Sequence, residues 1–254
     1  MCSLFDSHAH YDDDAFDRDR DEVISALPGA GISGVINCGT DYNSSRLSLA
    51  LSEKYSFVFA ACGIHPHNAA DVEPESIKEG LAPLLSAGKC VALGEIGLDY
   101  HYDFSPRKVQ LDVFEEQLKI ASRYNLPVII HNREAHADTL RLLQEYRPKG
   151  VLHCFSGSAE MAAEAVKLGM YIGLGGAVTF KNARKPLEAA KSVPLERLLI
   201  ETDCPYMAPV PFRGKRCDST MLKFTAQRIA QERNITYESL CEAADRNARK
   251  LFGL

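Results

Sequence analysis

Two histidines two residues apart, His8 and His10, stand near the start of the chain, just after a short apolar run. On an extended strand both side chains point to the same side and can converge on one cation. Glu95, His131, His153 and Asp203 follow, each at the carboxyl end of another apolar run. Four imidazoles and two carboxylates suffice to hold two adjacent divalent ions, and such a pair performs hydrolysis with activated water. A lone strand histidine is more often a hydrogen-bonded core residue than a ligand. Here, however, seven of the 8 histidines fall in or near strand-end loops. His101 and His136 read as structural or surface residues.

Positioning six such groups at one depth requires a repeated scaffold. Eight runs rich in Val, Ile, Leu, Cys and Ala occupy residues 3–7, 34–38, 57–62, 90–94, 127–130, 150–153, 170–174 and 198–202, with longer helix-like segments between most of them. This alternation predicts parallel β/α units, and runs such as VALG, PVII and LLIE are apolar on both faces, as strands between a barrel interior and a helix ring must be. The expected fold is an α/β single TIM-type (β/α)8 barrel with its site at the C-terminal strand ends. A doubly wound sheet would carry a glycine-rich turn after its first strand, where this chain has Asp6-Ser7-His8-Ala9-His10. A helix is expected over 105–125, with Ser105 as cap, Leu111, Phe114, Leu118 and Ala121 as its apolar stripe, and Asn125 and Pro127 ending it. Leu222, Ala226 and Ile229 mark another, and a last helix runs from about Thr236 to Phe252, before Gly253. With no linker or composition shift, residues 1–254 read as one domain.

At 254 residues and 46% hydrophobic, the chain can bury a large core. Its net charge of -5 excludes a globally basic nucleic-acid binder, so a phosphate-bearing substrate must be attracted locally by metal or by a few basic side chains. The 8 dispersed cysteines lack any C-x-x-C pair and read as reduced, mostly buried small hydrophobes, which suits a cytoplasmic location. The start, MCSLFDSHAHYDDD, resembles no signal or transit peptide, and no apolar run is long enough for a membrane. No stable protein partner is implied. Asp12-Asp13-Asp14 reads as a loop and solvated helix start, and Gly173-Leu174-Gly175-Gly176 as a tight turn or an anion-approaching loop. Asp6 and Glu201, each two residues from a proposed ligand, read as support for His8 and Asp203 or as barrel-interior groups.

In order along the chain, DSHAH at 6–10, GIHPH at 63–67, GEIGLDY at 94–100, PVIIHNR at 127–133, HCFSG at 153–157, ETDCPY at 201–206, PFRGKR at 211–216 and NARKLFGL at 247–254 closely resemble the TatD family of metal-dependent deoxyribonucleases. This family belongs to the amidohydrolase superfamily of β/α barrels, and the match covers nearly the whole chain. The resemblance implies that His8, His10, Glu95, His131, His153 and Asp203 are the metal ligands, with Glu95 bridging two ions. It also implies magnesium, manganese or zinc as the metal, and DNA phosphodiester cleavage, for some members as a 3′ to 5′ exonuclease. Some relatives instead hydrolyse the ester of D-aminoacyl-tRNA. Where family members usually carry Asn-Glu-Pro after the RGKR-like segment, this chain has Cys217-Asp218-Ser219, and Ser7 replaces the usual Thr. The first departure is expected to alter substrate preference or loop rigidity.

In the hydrolysis so implied, Asp203 orients the water and accepts its proton while Glu95 sets the ion separation. His65 is suited to donate to a phosphate or leaving oxygen, and Arg213 to grip phosphate with two parallel hydrogen bonds. Lys181, Arg184 and Lys215 read as solvated surface charge. The same centre would serve hydrolysis of another ester or an amide, and a silent barrel that binds nucleic acid or scaffolds partners would be marked by degenerate ligands, of which there are none.

Overall fold

The computed structural model describes residues 3–254, so Cys2, one of the cysteines discussed above, lies outside the described residues. Each apolar run becomes a strand: β1 (Leu4–Ala9), β2 (Ile32–Cys38), β3 (Val58–Cys62), β4 (Cys90–Asp99), β5 (Val128–Arg133), β6 (Gly150–Leu152), β7 (Tyr171–Leu174) and β8 (Leu198–Ile200). Between and after them lie helices α1 (Arg20–Ala26), α2 (Tyr42–Lys54), α3 (Pro74–Leu85), α4 (Arg107–Tyr124), α5 (His136–Tyr146), α6 (Ala159–Lys167), α7 (Arg184–Ser192), α8 (Leu222–Arg233) and α9 (Tyr237–Phe252). The strands join in sequence order from β1 to β8, every neighbouring pair parallel.

The sheet curls until its two edges meet. Beyond β8, Asp203 N donates to His8 O at 3.0 Å and His10 N donates to Cys204 O at 2.7 Å, with an Ala9–Cys204 parallel bridge. Side chains complete this seam: the Asp6 carboxylate accepts from Thr202 N at 2.9 Å and Thr202 Oγ1 at 2.6 Å, and Ser7 Oγ donates to Ile200 O at 3.1 Å. The result is an eight-stranded β/α barrel, as expected.

The period of two along each strand sorts the core into two layers. Phe5, Ile36, Ala61, Ala92, Ile129, Val151, Tyr171 and Leu199 fill the interior, with Ala248 and Phe252 of α9 packed among them. Leu4, Val35, Leu93, Val128, Leu152, Ile172 and Leu198 pack instead with the helices. Asn247 holds α9 in place by donating to Leu195 O at 2.8 Å and Leu198 O at 2.9 Å, and Gly253 ends that helix at φ 73°. Cys38, Cys62, Cys90, Cys204, Cys217 and Cys241 are buried, and Cys154 is half-buried. Among the described residues no helix is long and apolar enough to cross a membrane.

Three local expectations change. β4 and β5 run on to Asp99 and Arg133, because Ile96 to Asp99 keep pairing with Ile130 to Arg133; Glu95 and His131 therefore lie within strands. Ser105 does not cap α4; its hydroxyl instead donates to His67 O at 3.0 Å and accepts from Ala70 N at 3.1 Å. The buried face of α4 also includes two glutamines, while Leu111 is only half-buried. Gln117 exchanges hydrogen bonds with Ile64 N and O at 2.8 and 3.0 Å, and Gln110 does so with Asp99 N and O at 2.8 and 3.1 Å. These amides satisfy the buried backbone of the segments that carry His65 and Asp99.

Candidate metal centre

β1 carries a register shift between Asp6 and Ala9, and across it the rings of His8 and His10 converge. Their Nε2 atoms are 3.0 Å apart. Glu95 Oε2 lies 3.3 and 3.4 Å from them, and Asp203 Oδ1 lies 3.7 and 3.5 Å away. Ligands held about 2.1 Å from a tetrahedral cation are about 3.4 Å from one another, close to these separations. The other oxygen of Glu95 faces a second group: Oε1 is 2.7 Å from His153 Nε2, 3.0 Å from His131 Nδ1 and 3.5 Å from His65 Nε2. The register shift between Leu93 and Ile96 spans Glu95, as irregular strands beside active sites often do to re-aim a side chain.

The outward nitrogens decide what the inward ones present. His10 Nδ1 meets Cys38 O at 2.9 Å and His131 Nε2 meets Asp99 Oδ2 at 3.1 Å, so the proton of each neutral ring sits outside and a lone pair points inward. His153 Nδ1, buried and without a hydrogen-bond partner, faces Glu201 Oε1 at 3.6 Å. Lone pairs and two carboxylates thus crowd together at contact distance, a donor set that fits divalent cations. Burial pushes the Glu95 carboxyl up, but His153, His65 and His8 outweigh it and hold the group well below its usual range. Burial likewise opposes charge on His10, yet Asp203 and Glu95 raise its pKa well above the ordinary imidazole value. The cluster draws in positive charge.

Asp99, within the GLDY segment, has no place in the sequence-derived set. It is fully buried, and Oδ2 accepts from both His131 and His67, the latter at 2.9 Å, while Oδ1 accepts from His101 N and Tyr102 N at 3.0 and 2.9 Å. Burial raises its pKa, but His131, Tyr102 and His67 together lower it well below the usual range. Its spacing of four from Glu95 was the available signal, had the strand been extended that far. Because partners of this kind orient metal-bound imidazoles, Asp99→Asn should weaken metal affinity about 10- to 100-fold. Metal titration monitored by calorimetry checks this, and unchanged affinity would refute the role.

Glu201 and Asp6 divide the roles expected of them. Glu201 Oε1 accepts from Cys154 N and faces His153, so it braces that ring rather than Asp203. Asp6 touches His8 only through the backbone N at 3.4 Å, since the strand irregularity separates their side chains. Gly173 belongs to this packing: a Cβ there would collide with Glu201 Oε2, so close approach explains this glycine. Gly173→Ala is expected to cost about 1–3 kcal/mol of stability, measurable as a lower denaturant midpoint with unchanged m-value.

A cavity of about 700 Å³ opens over the centre and is lined by His10, Glu95, His131, His153 and Asp203, with His65, Arg133 and Tyr102 at other points of its wall. Asp12 and Asp13 line it as well. Asp12 is not simply solvated, because it accepts from Asn37 Nδ2 at 2.7 Å and Ser44 Oγ at 2.5 Å. Asp203 itself adopts φ 61°, a left-handed conformation uncommon outside glycine and found at strained functional positions.

Residues 5–253 match the family model of TatD related DNases. The chain belongs to this family. It is 42% identical over 252 residues to YabD of Bacillus subtilis, named an uncharacterized metal-dependent hydrolase, covering 98% of each chain. It is 35% identical over 259 residues to the 3′-5′ ssDNA/RNA exonuclease TatD of Citrobacter rodentium, covering 99% of this chain and 98% of the relative. The crystal structure of YjjV, a TatD homolog from Escherichia coli, superposes with a TM-score of 0.93 at 32% identity, covering 100% of this chain and 99% of that one.

Within this TatD fold the departure at Cys217-Asp218-Ser219 faces the scaffold. Cys217 is buried, Asp218 caps a short turn through Thr220 N, and Ser219 Oγ donates to Asp6 Oδ2 at 2.6 Å while accepting from Tyr11 OH at 2.8 Å. None of the three lines the cavity. The altered segment thus braces the β1–β8 seam. Arg213 is not brought to the cavity wall either: it is exposed, its guanidinium 3.7 Å from the centre of the Phe180 ring. Arg133, two residues beyond His131, is the arginine that lines the wall. Lys181 and Lys215 are exposed, and Arg184, also exposed, pairs with Glu188 at 2.9 Å.

Proposed function

We propose that this TatD-family hydrolase acts as a single barrel domain in the cytoplasm and cleaves phosphodiester bonds at the end of a nucleic acid strand, using two divalent ions. The observation that carries this reading is the division of Glu95, whose two oxygens address separate groups of inward-facing nitrogens. His8, His10, Glu95 and Asp203 would hold one ion, and Glu95, His131 and His153 the other. Mixed imidazole and carboxylate ligands favour zinc or manganese over magnesium. When bound, the ions lower the pKa of water and polarise a phosphoryl oxygen. The relative named as a 3′-5′ ssDNA/RNA exonuclease supports nucleic acid as the substrate.

The side chains divide the remaining work. Asp203 orients the attacking water and takes its proton; His10, His8 and His153 overcome the effect of burial and keep its carboxylate ionised, so its basicity comes from position. His65 is buried beside Glu95, and burial lowers its pKa to about 4, so it acts as a neutral donor that positions phosphate. Arg133 supplies the cationic contact at the wall that Arg213 was expected to make.

The test is release of mononucleotides from single-stranded and duplex DNA with manganese or zinc, beside hydrolysis of D-aminoacyl-tRNA. Nucleotide release abolished by chelation supports the proposal. Deacylation without nuclease activity would replace it with an esterase, and tight metal binding without turnover would replace it with a silent barrel.

A further inference from the structure

Just beyond β4, the chain turns two large aromatic rings into solvent at the rim of the cavity. Tyr102 is 48% exposed and Phe104 is 67% exposed, and their rings stack with centroids 5.3 Å apart at 19°. Their placement is built. Asp99 accepts from Tyr102 N, and Ser105 is hydrogen-bonded to the backbone of His67 and Ala70. The His67 ring stands edge-on to both, 5.5 Å from Tyr102 and 4.8 Å from Phe104. The Arg133 guanidinium lies 4.6 Å from the Tyr102 ring centre. The carboxylate that orients His131 therefore also fixes the loop presenting these rings.

We infer that Tyr102 and Phe104, with Arg133 beside them, form a stacking platform for a nucleobase of the strand whose phosphodiester lies at the Glu95 centre. The inference rests on the nuclease reading above and names the surface that gives it affinity. Charge favours this side of the mouth. Asp12 and Asp13 line the cavity elsewhere and repel a polyanion, while Arg133 attracts one; beside the rings, Asp103 pairs with Arg107 at 3.0 Å and Glu134 with His101 at 2.9 Å. With a net charge of -5 the chain has no general basic field, so binding must draw on local contacts. Stacking on an aromatic ring is open to every base, which suits an enzyme that removes successive nucleotides of any sequence. The rings are exposed yet held, so little ordering is lost when a base settles on them.

The experiment uses the full chain loaded with manganese and two single-stranded oligodeoxynucleotides, one normal and one whose last few 3′ nucleotides lack bases. Wild type should show a KM about tenfold or more higher on the abasic strand. A variant combining Tyr102→Ala and Phe104→Ala should show that rise on the normal strand, no further rise on the abasic one, and a nearly unchanged kcat. Phe104→Trp, which keeps a ring, should retain the wild-type KM. A wild type that cleaves both strands with equal KM, or a double variant that still distinguishes them as wild type does, overturns the platform and leaves the nuclease reading standing. A wild type that releases nucleotides from neither strand overturns both.

Discussion

Glu95→Gln is expected to lower metal affinity and hydrolysis by about 10²- to 10⁴-fold. The carboxylate is buried and faces both groups of nitrogens: Oε2 lies 3.3 Å from His8 and 3.4 Å from His10, and Oε1 lies 2.7 Å from His153 and 3.0 Å from His131. Removing one charge from a buried cluster of this kind costs about 3–5 kcal/mol, and each 1.36 kcal/mol is about a tenfold factor. Glutamine keeps the shape but turns one oxygen into an N–H donor, which repels a cation at whichever side it faces. The measurements are metal content by elemental analysis of the purified variant and the rate of nucleotide release. Full metal occupancy with full activity would sink the bridging role.

Asp203→Asn is expected to reduce kcat by about 10²- to 10⁴-fold, the range for loss of a positioned general base, while KM changes little. The carboxylate lies 3.7 and 3.5 Å from His8 and His10 and also approaches His153, while His153 keeps Glu95 Oε1 at 2.7 Å and His131 at 3.3 Å, so the group around His131 and His153 keeps its own donors. This variant therefore separates from Glu95→Gln by retaining metal on the second side. Its carboxyl pKa lies below the ordinary value, so the charge is present at neutral pH and is lost only as pH falls through that lowered pKa. Wild-type activity should consequently show no loss from Asp203 protonation between about pH 5 and pH 8. Steady-state kinetics across that range, with metal content measured on the same samples, provides the check. A variant with wild-type kcat removes Asp203 from the chemistry.

The two substitutions probe groups that sequence spacing could nominate, and their neighbours show where such reasoning stops. His8, His10, Glu95, His131, His153 and Asp203 stood out because charged or polar side chains at the ends of apolar strands are costly to bury, and a parallel barrel brings those ends to one face. The barrel itself was legible because strand and helix periods alternate visibly along the chain. Leu222, Ala226 and Ile229 on α8, and Gly253 after α9, appeared for the same local reason.

Other features depended on strand register and on contacts between residues far apart in sequence. Asp99 braces His131 because β4 extends past Glu95 and carries it beside β5. Gln110 and Gln117 belong to the buried face of α4 only because their amides satisfy the backbone of Asp99 and Ile64. Asp6 parted from His8 because an irregularity in β1 changes the side-chain alternation, and Ser219 reached Asp6 from 213 residues away. Arg213 stacked on Phe180 while Arg133 took a place on the cavity wall. The sequence by itself determined the barrel and the types of residue clustered at the carboxyl ends of its strands, since periodicity and burial cost are local properties. Tertiary structure decided which nitrogens and oxygens face one another, which carboxylates brace the rings and which side chains line the cavity, because those depend on register, ring orientation and close approach between distant segments.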